Sequence, residues 1–225
     1  MKYDKELNEK ITFYIDEEYS RFHAKLIPGV KIRGVKIPNL RKIAKDFCKY
    51  LDFLDNITLN NYEAICVACY YIGLTTKDEF LLKSRLDFIL PLIDNWATCD
   101  TFVGTLKIFK QKNEKLLPII LDYLNSGSIF TKRFAIVCLL TYYIKDKTIN
   151  DLFCKISKLQ GEDYYIDMAI AWFVSVAFVK CREQTLKLLK SNALNSNVQS
   201  KSISKICDSY RVSKEDKVLV KTLKK

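Results

Sequence analysis

Glycine and proline are scarce in this chain, and that scarcity restricts its possible folds more than any other feature. Only 6 glycines and 4 prolines occur in 225 residues, so long stretches contain neither of these turn-forming residues. Such a composition disfavours β-sandwiches and glycine-rich nucleotide-binding folds, which need many tight turns. Hydrophobic residues make up 49% of the chain, enough for one sizeable core or a short repeat array. The sequence therefore predicts an all-α protein.

Apolar residues recur at helical spacing along almost the whole sequence. Residues that favour helix starts support several of the boundaries: Pro38 with Asn39 opens one segment, and Thr58 precedes another at Asn61–Glu63. One extended stretch, residues 24–37, reads as an ordered basic loop. We predict helices over residues 4–20, 38–53, 58–74, 78–89, 91–110, 114–125, 130–144, 148–157, 163–179, 181–191, 196–209 and 213–223.

A weak internal repeat runs through these segments. The pair Ala-Ile occurs at residues 64–65, 135–136 and 169–170, at steps of 71 and 34 residues. A period of about 35 residues with paired helices is typical of HEAT or armadillo arrays. On this phasing Asp100, which lies 36 residues after Ala64, replaces a small apolar residue. The pattern predicts a single domain over residues 1–225, an α-solenoid of paired antiparallel helices whose second helices line a concave face.

The net charge of +11 is concentrated towards the two ends of the chain. Residues 21–49 contain nine Lys or Arg against one acid, Asp46, and residues 180–225 contain twelve against four acids. Two basic ends indicate a polyanionic partner, and we favour nucleic acid over a membrane surface. The alternative interpretation is that the positive charge serves general solubility and that the basic C-terminal residues form an irregular tail.

Cysteine and histidine usage argues against metal or nucleophilic chemistry. The N-terminus is charged rather than signal-like, and no apolar run reaches about 18 residues, so we expect a cytoplasmic protein, nucleoid-associated when bound to DNA, that does not enter membranes. Its eight cysteines are then expected to be reduced core residues. Cys66 and Cys69 have CxxC spacing, but no second pair exists and His23 is the only histidine. We expect no metal and no cofactor.

The two tryptophans supply the best chemical clue. Trp96 and Asp100 lie four residues apart, which on a helix places an indole and a carboxylate on one face. Such a pair suits a cationic substrate, and we expect the Trp96 ring to be exposed. Arg133 is a candidate for bidentate phosphate binding. Each residue also has a structural alternative. Trp96 could be an aromatic residue at a helix start, with Asp100 as a solvated acid beside it. Arg133 could be an exposed arginine in the first turn of its helix, and Trp172 could be a core residue.

The candidate site residues are a carboxylate, two indoles and an arginine. This set suits a reaction whose leaving group is already activated. Excision of an N-alkylated purine from DNA is such a reaction, because alkylation gives the base a positive charge. The base can then leave without protonation by a general acid, while a carboxylate stabilises the oxocarbenium ion and positions water.

Four stretches together resemble the AlkD-type DNA alkylation repair glycosylases. They are residues 34–45 (GVKIPNLRKIAK), 94–100 (DNWATCD), 131–137 (TKRFAIV) and 164–172 (YYIDMAIAW), in an order and spacing that fit across residues 5–220. The resemblance implies a HEAT-like solenoid that holds duplex DNA in a basic concave groove. It also implies excision of cationic lesions such as 3-methyladenine and 7-methylguanine without base flipping, and without a metal or organic cofactor.

The resemblance also implies roles for individual residues. Asp100 would stabilise the developing sugar cation and orient water, with the two tryptophans packed against the deoxyribose of the lesion. Arg133 would contact the DNA backbone. The implied catalytic residues are Asp100, Trp96 and Trp172, and the implied DNA contacts are Arg133, Lys36, Arg41 and Lys132.

The sequence departs from the family pattern at three places. Phe130 stands where some members have tryptophan. Asp167 and Met168 precede the Ala-Ile pair where a lysine is often found, and Ser175 stands where some members have arginine. Fewer cations near the groove would lower the salt-dependent part of the affinity for DNA phosphates. These departures keep open a non-catalytic paralogue that binds branched or damaged DNA, or RNA. A third alternative is a protein-binding solenoid with incidental charge. We expect a monomer in each case.

Overall fold

The chain is all-helical in a computed structural model that describes residues 1–111 and 113–224. No β-strand forms among these residues, and an isolated antiparallel bridge joins Ile15 to Val35. Single 3-10 turns lie at Leu54–Asn56 and Leu90–Leu92. The all-α prediction is confirmed. The helices are α1 (Asp4–Phe13), α2 (Glu17–Leu26), α3 (Ile37–Phe47), α4 (Tyr62–Thr75), α5 (Glu79–Ile89), α6 (Trp96–Thr105), α7 (Ile108–Gln111), α8 (Asn113–Tyr123), α9 (Ile129–Tyr142), α10 (Ile149–Ser157), α11 (Tyr164–Lys180), α12 (Arg182–Lys190), α13 (Ser196–Asp208) and α14 (Lys214–Lys221).

The helices group into two compact units, Met1–Lys112 and Asn113–Lys225. In the first unit α4 is the central helix and packs against α3, α5 and α6, while α1 packs against α3. In the second unit α11 is central and packs against α9, α12 and α13, with α8 on α9 and α14 on α13. Contacts in each unit therefore join helices that are close in sequence, as in stacked helical repeats.

The weak repeat falls on the central helices. Ala64 lies on α4, Ala135 on α9 and Ala169 on α11, and all three side chains are buried. Asp100 lies on α6 and is only half-buried. A position that elsewhere holds a buried small side chain therefore holds a carboxylate that reaches the surface of its unit.

The predicted helix over residues 4–20 is wrong, because it is two helices. Asp16 ends the continuity by capping α2, where its side chain accepts the backbone N–H of Tyr19 at 2.9 Å. The bridge between Ile15 and Val35 brings the end of the basic stretch against this break. Since α2 continues to Leu26, the irregular segment covers only residues 27–36, and we call these residues the basic loop.

The predicted helix over residues 91–110 is also interrupted. Asn95 caps α6 by accepting the backbone N–H of Thr98 at 2.9 Å, so Trp96 is the first residue of that helix. Helix α6 ends at Thr105, and the short α7 follows it. In the same way, the helix predicted over residues 38–53 ends at Phe47.

His23, which lies outside the predicted helices, is buried on α2. Its ring lies 5.2 Å from the ring of Tyr19 and 5.5 Å from that of Tyr62, and burial lowers its pKa below 6.5. The unfolded chain therefore takes up a proton on His23 more readily than the folded chain. The stability associated with the neutral imidazole is fully present above the unfolded pKa and is lost as the pH falls from there through the lower, folded pKa.

We predict that the free energy of unfolding of the wild type decreases between about pH 7.5 and pH 5.5. His23→Gln should flatten that dependence, because glutamine does not titrate. Chemical denaturation of both proteins across this range measures the slopes. Equal slopes in the two proteins would contradict the prediction.

Candidate functional site

Trp96 and Asp100 lie on one face of α6. Both side chains are half-buried, whereas Ala97, Thr98 and Cys99 between them are buried. The spacing of four residues on a regular helix brings the indole and the carboxylate to neighbouring positions. The open stripe of α6 therefore presents an aromatic ring beside a carboxylate, an arrangement that can stabilise a positive charge.

The Trp96 indole is held in place rather than free. Its Nε1–H donates a hydrogen bond to the backbone oxygen of Leu26, the last residue of α2, at 3.1 Å. The ring also packs against the hydrophobic core of the first unit. The ring is therefore only partly exposed, because one edge of the indole is anchored and part of its surface is covered.

The basic loop is fixed by a buried carboxylate, Glu63, for which the sequence predicts only a position at a helix start. Glu63 on α4 is fully buried, and its Oε1 accepts the backbone N–H groups of Arg33 at 2.6 Å and Gly34 at 3.1 Å. The cap of α4 is Asn61, which accepts the N–H of Ala64 at 3.0 Å. Glu63 is therefore available to bind the loop, a role that no local sequence signal indicates.

Gly34 is required where the loop meets α2. Its φ of +93° lies in the left-handed region, which favours glycine. An added Cβ would lie 2.4 Å from the backbone oxygen of Asp16 and 2.7 Å from the Cβ of Ser20. Its own backbone oxygen accepts the N–H of Asp16 at 3.2 Å. The loop and the start of α2 are therefore locked together at this residue.

Two of the predicted DNA contacts lie near the basic loop on the first unit. Lys36 forms an ion pair with Asp16, with Nζ and Oδ2 2.7 Å apart, and its side chain remains 54% exposed. The pair raises the pKa of Lys36 and lowers that of Asp16. Arg41 on α3 is exposed, and its guanidinium lies 5.4 Å from the centre of the Tyr70 ring. Arg41 can thus approach a phosphate without first breaking an ion pair.

We predict that Arg41→Gln weakens binding to duplex DNA and reduces the slope of log Kd against log salt by about 1. Lys36→Gln should have a smaller effect, because its charge is partly neutralised by Asp16. Titrations at three or more salt concentrations measure both slopes. Slopes equal to that of the wild type in both variants would contradict a DNA contact by either residue.

Trp172 occupies an open stripe of α11 in the second unit. The side chains of Tyr165, Met168, Trp172 and Val176 are half-buried, at spacings of three or four residues. The side chains next to the tryptophan in sequence, on the other faces of the helix, are fully buried. Trp172 is therefore not a core residue, although the residues around it in sequence are.

The two predicted DNA contacts of the second unit, Arg133 and Lys132, each make a polar contact within that unit. Arg133 is only 6% exposed, and its Nη1 donates a hydrogen bond to the backbone oxygen of Tyr165 at 2.8 Å. The alternative of an exposed first-turn arginine is thus wrong. Lys132 forms an ion pair with Glu162. Ser175, one of the departures from the family pattern, is buried and donates to the backbone oxygen of Trp172 at 2.9 Å.

Phe130 and the cysteines complete the predicted set. The Phe130 ring lies 5.2 Å from the ring of Tyr165, in an aromatic contact at the start of α9 and α11.

Cys66 and Cys69 are buried, and burial raises the pKa of the Cys66 thiol to about 12. Cys154 is exposed and departs from the expected core position. Within residues 1–111 and 113–224, no three His, Cys, Asp or Glu side chains are grouped to hold a metal ion.

The structure thus places the candidate residues on two separate units. It brings Trp96 and Asp100 together on α6, near the basic loop, and it places Trp172 and Arg133 on the second unit. None of the described helices is long and apolar enough to cross a membrane.

Comparison with known proteins gives a family match that covers most of the chain. A sequence model of the family described as "DNA alkylation repair enzyme" matches residues 3–210. The matched span contains α1 to α13 and every candidate residue named above. A comparison with curated proteins finds no match.

Proposed function

The chain belongs to the DNA alkylation repair enzyme family, and from this membership we propose that it is a monofunctional DNA glycosylase. Its substrates would be cationic alkylated purines in duplex DNA, such as 3-methyladenine and 7-methylguanine. It would hydrolyse the N-glycosidic bond without flipping the base into a pocket, and leave an abasic site. We further propose that it acts as a monomer in the cytoplasm, nucleoid-associated when bound to DNA, and needs no cofactor.

The pairing of Trp96 with Asp100 on the open stripe of α6 is the observation that carries this proposal. A half-buried carboxylate beside an anchored indole can stabilise positive charge, and its position is set by a rigid helix rather than by a loop. The transition state of glycosidic hydrolysis carries such charge on the sugar. Asp100 would stabilise that charge and orient the attacking water.

A cationic leaving group removes the need for a general acid. The alkylated base already carries the positive charge that protonation would otherwise supply, so the departing base becomes neutral as the bond breaks. The chain's single histidine, His23 on α2, is buried and its ring packs against the rings of Tyr19 and Tyr62. A mechanism that relies on a carboxylate and indoles alone therefore suits this set of side chains.

Residues of the second unit would assist in binding. Trp172 presents part of its ring at the surface of α11, where it can pack against a deoxyribose. Lys132 would contact the DNA backbone after exchanging Glu162 for a phosphate, because both are anionic oxygen acceptors. Arg133 has one guanidinium nitrogen committed to Tyr165, which fixes the orientation of its side chain.

A non-catalytic DNA-binding protein is the second candidate function. The engagement of Arg133 and Lys132 by Tyr165 and Glu162 favours it, as does a small buried serine at position 175. Together they leave the second unit with less positive charge directed towards a phosphate. Such a protein would bind damaged or branched DNA and release no base.

Base release from defined duplexes separates these candidates. Single-turnover assays would use oligonucleotides with one 7-methylguanine, one 3-methyladenine or one neutral O6-methylguanine, followed by alkaline cleavage at abasic sites. The glycosylase proposal predicts release of the two cationic bases and retention of the neutral one. Salt-dependent binding to all three duplexes without release from any would support the non-catalytic function.

A further inference from the structure

We propose that Glu63 is a positioning residue that sets the orientation of Trp96 through the basic loop and α2. Its importance for catalysis rests on the proposed function, whereas its effect on the Trp96 indole does not. Glu63 hydrogen-bonds to Arg33 and Gly34 of the loop, whereas the Trp96 indole hydrogen-bonds to Leu26, so the action of Glu63 on the indole would be indirect. The chain of contacts from Glu63 to Trp96 lies entirely within the first unit.

The first contact is an unusual use of a buried carboxylate. Glu63 is 0% exposed, and its Oε1 accepts two backbone N–H groups, from Arg33 and Gly34. Its Oε2 is buried and makes no hydrogen bond to any residue that the structure describes. Burying a carboxylate with one unsatisfied oxygen costs free energy, which the two hydrogen bonds of Oε1 offset only in part. The group fixed here is the end of the basic loop.

The second contact transfers the position of the loop to α2. Gly34 lies so close to Asp16 and Ser20 that even a methyl group would not fit between them. The backbone N–H of Asp16 donates to the oxygen of Gly34 at 3.2 Å, and the Ser20 hydroxyl donates to the oxygen of Ile32 at 3.2 Å. Movement of the loop at Gly34 would therefore move the first two turns of α2.

The third contact joins α2 to the indole. The backbone oxygen of Leu26, at the last residue of α2, accepts the Nε1–H of Trp96 at 3.1 Å. The middle of the loop, Gly29–Lys31, borders a cleft of about 250 Å³ that also reaches Asn95 at the start of α6. Val30 and Ile32 of the loop also pack against the core of the first unit, so the loop is held by this packing together with its anchors at both ends.

Loss of the Glu63 carboxylate should release this chain of contacts. Without it two backbone N–H groups lose their acceptor, and the loop can move into the cleft. The Leu26 oxygen then no longer holds the indole beside Asp100. A displacement of about 1 Å at a reacting centre can reduce a rate by about 100-fold. We expect Glu63→Ala to slow base release by about 10- to 100-fold, with the larger part of the change in kcat.

The experiment measures Trp96 directly. In a Trp172→Phe background Trp96 is the sole tryptophan, so its emission and its quenching by iodide report on the indole alone. Glu63→Ala should shift the emission to longer wavelength and raise the iodide quenching constant about twofold, because local opening exposes the ring. Glu63→Gln should retain the wild-type emission, since its amide oxygen can accept the same two N–H groups.

Two further variants complete the test. Lys31→Gln removes one exposed charge from the loop without touching the anchors, so it should leave the Trp96 emission unchanged. Glu63→Asp shortens the side chain by one methylene and should give an emission between those of the wild type and Glu63→Ala. If Glu63→Ala does not fold, the Glu63→Asp protein decides the question by the same readout.

The outcomes separate this proposal from the proposed function. Unchanged emission and quenching in folded Glu63→Ala and Glu63→Asp would overturn the positioning role, whatever the activity. A shifted indole in those variants, with no base release even by the wild type, would support the positioning role and reject the glycosylase. A shifted indole with an unchanged rate of base release would show that Trp96 orientation does not matter for catalysis, and would overturn the catalytic part.

Discussion

Asp100→Asn is expected to bind methylated duplex DNA at least as tightly as the wild type and to release the base about 10²–10³-fold more slowly. The substitution keeps the shape of the side chain and removes its charge. Binding should not suffer, because one negative charge near the DNA backbone disappears. The rate should fall, because the carboxylate is proposed to stabilise the sugar cation that forms as the glycosidic bond breaks. Single-turnover rates and binding titrations on the same 7-methylguanine duplex measure both effects.

Asp94→Asn is the matched control for this substitution. Asp94 is an exposed carboxylate two residues before Trp96, and its Oδ1 accepts a hydrogen bond from Asn95, which an asparagine oxygen can also accept. The change removes the same charge from the same segment, but at a residue outside α6. We expect a rate within about twofold of the wild type, as for surface changes away from the reacting centre. A loss of rate equal to that of Asp100→Asn would show that net charge, and not position, decides the rate.

Gly73→Ala is expected to destabilise the first unit by about 1–3 kcal/mol, as overpacked sites do. Helices α4 and α6 meet closely at Gly73, where an added Cβ would lie 2.2 Å from Oγ1 and 2.5 Å from Cβ of Thr105. Threonine is β-branched and cannot rotate away easily, and its hydroxyl also donates to the backbone oxygen of Phe102 at 2.7 Å. The two helices must therefore separate. Thermal unfolding should show a decrease in Tm of about 2–4 °C for each kcal/mol.

Gly104→Ala provides the opposite expectation on the same pair of helices. No atom lies within 4 Å of the Cβ that would be added at Gly104, which is exposed near the end of α6. Alanine in a helix is more favourable than glycine at the same position by about 0.5–1 kcal/mol. The variant should therefore be as stable as the wild type or more stable. Equal Tm values for Gly73→Ala and Gly104→Ala would show that the close approach of Gly73 to Thr105 does not affect the free energy of unfolding.

The helical fold and the Trp96–Asp100 pair could be predicted because both depend on local spacing. Scarcity of glycine and proline, together with apolar periodicity, was sufficient for the all-α class. The spacing of four residues placed the indole and the carboxylate on one helix face as soon as α6 existed. The predicted start of that helix at residue 91 is wrong, because the apolar run at residues 90–93 continues the helical pattern although Asn95 caps the helix.

The long-range contacts could not be predicted from the sequence. Nothing near Glu63 indicates that it binds the backbone of Arg33 and Gly34, which lie about 30 residues earlier. The burial of Arg133 against Tyr165 likewise depends on the packing of α9 on α11. The hydrogen bond from Trp96 to Leu26 spans 70 residues and anchors one edge of a ring that is only partly exposed. Such contacts arise from tertiary packing and leave no periodic trace.

The measurement that tests the central proposal most directly is base release from a duplex with one 7-methylguanine, by the wild type and by Asp100→Asn side by side. The glycosylase proposal predicts abasic sites from the wild type and a rate reduced by about 10²–10³-fold for the variant, with binding retained. Equal release by both proteins would contradict the role of Asp100. Absence of release by the wild type, with salt-dependent binding to the same duplex, would contradict the glycosylase itself and support the non-catalytic function.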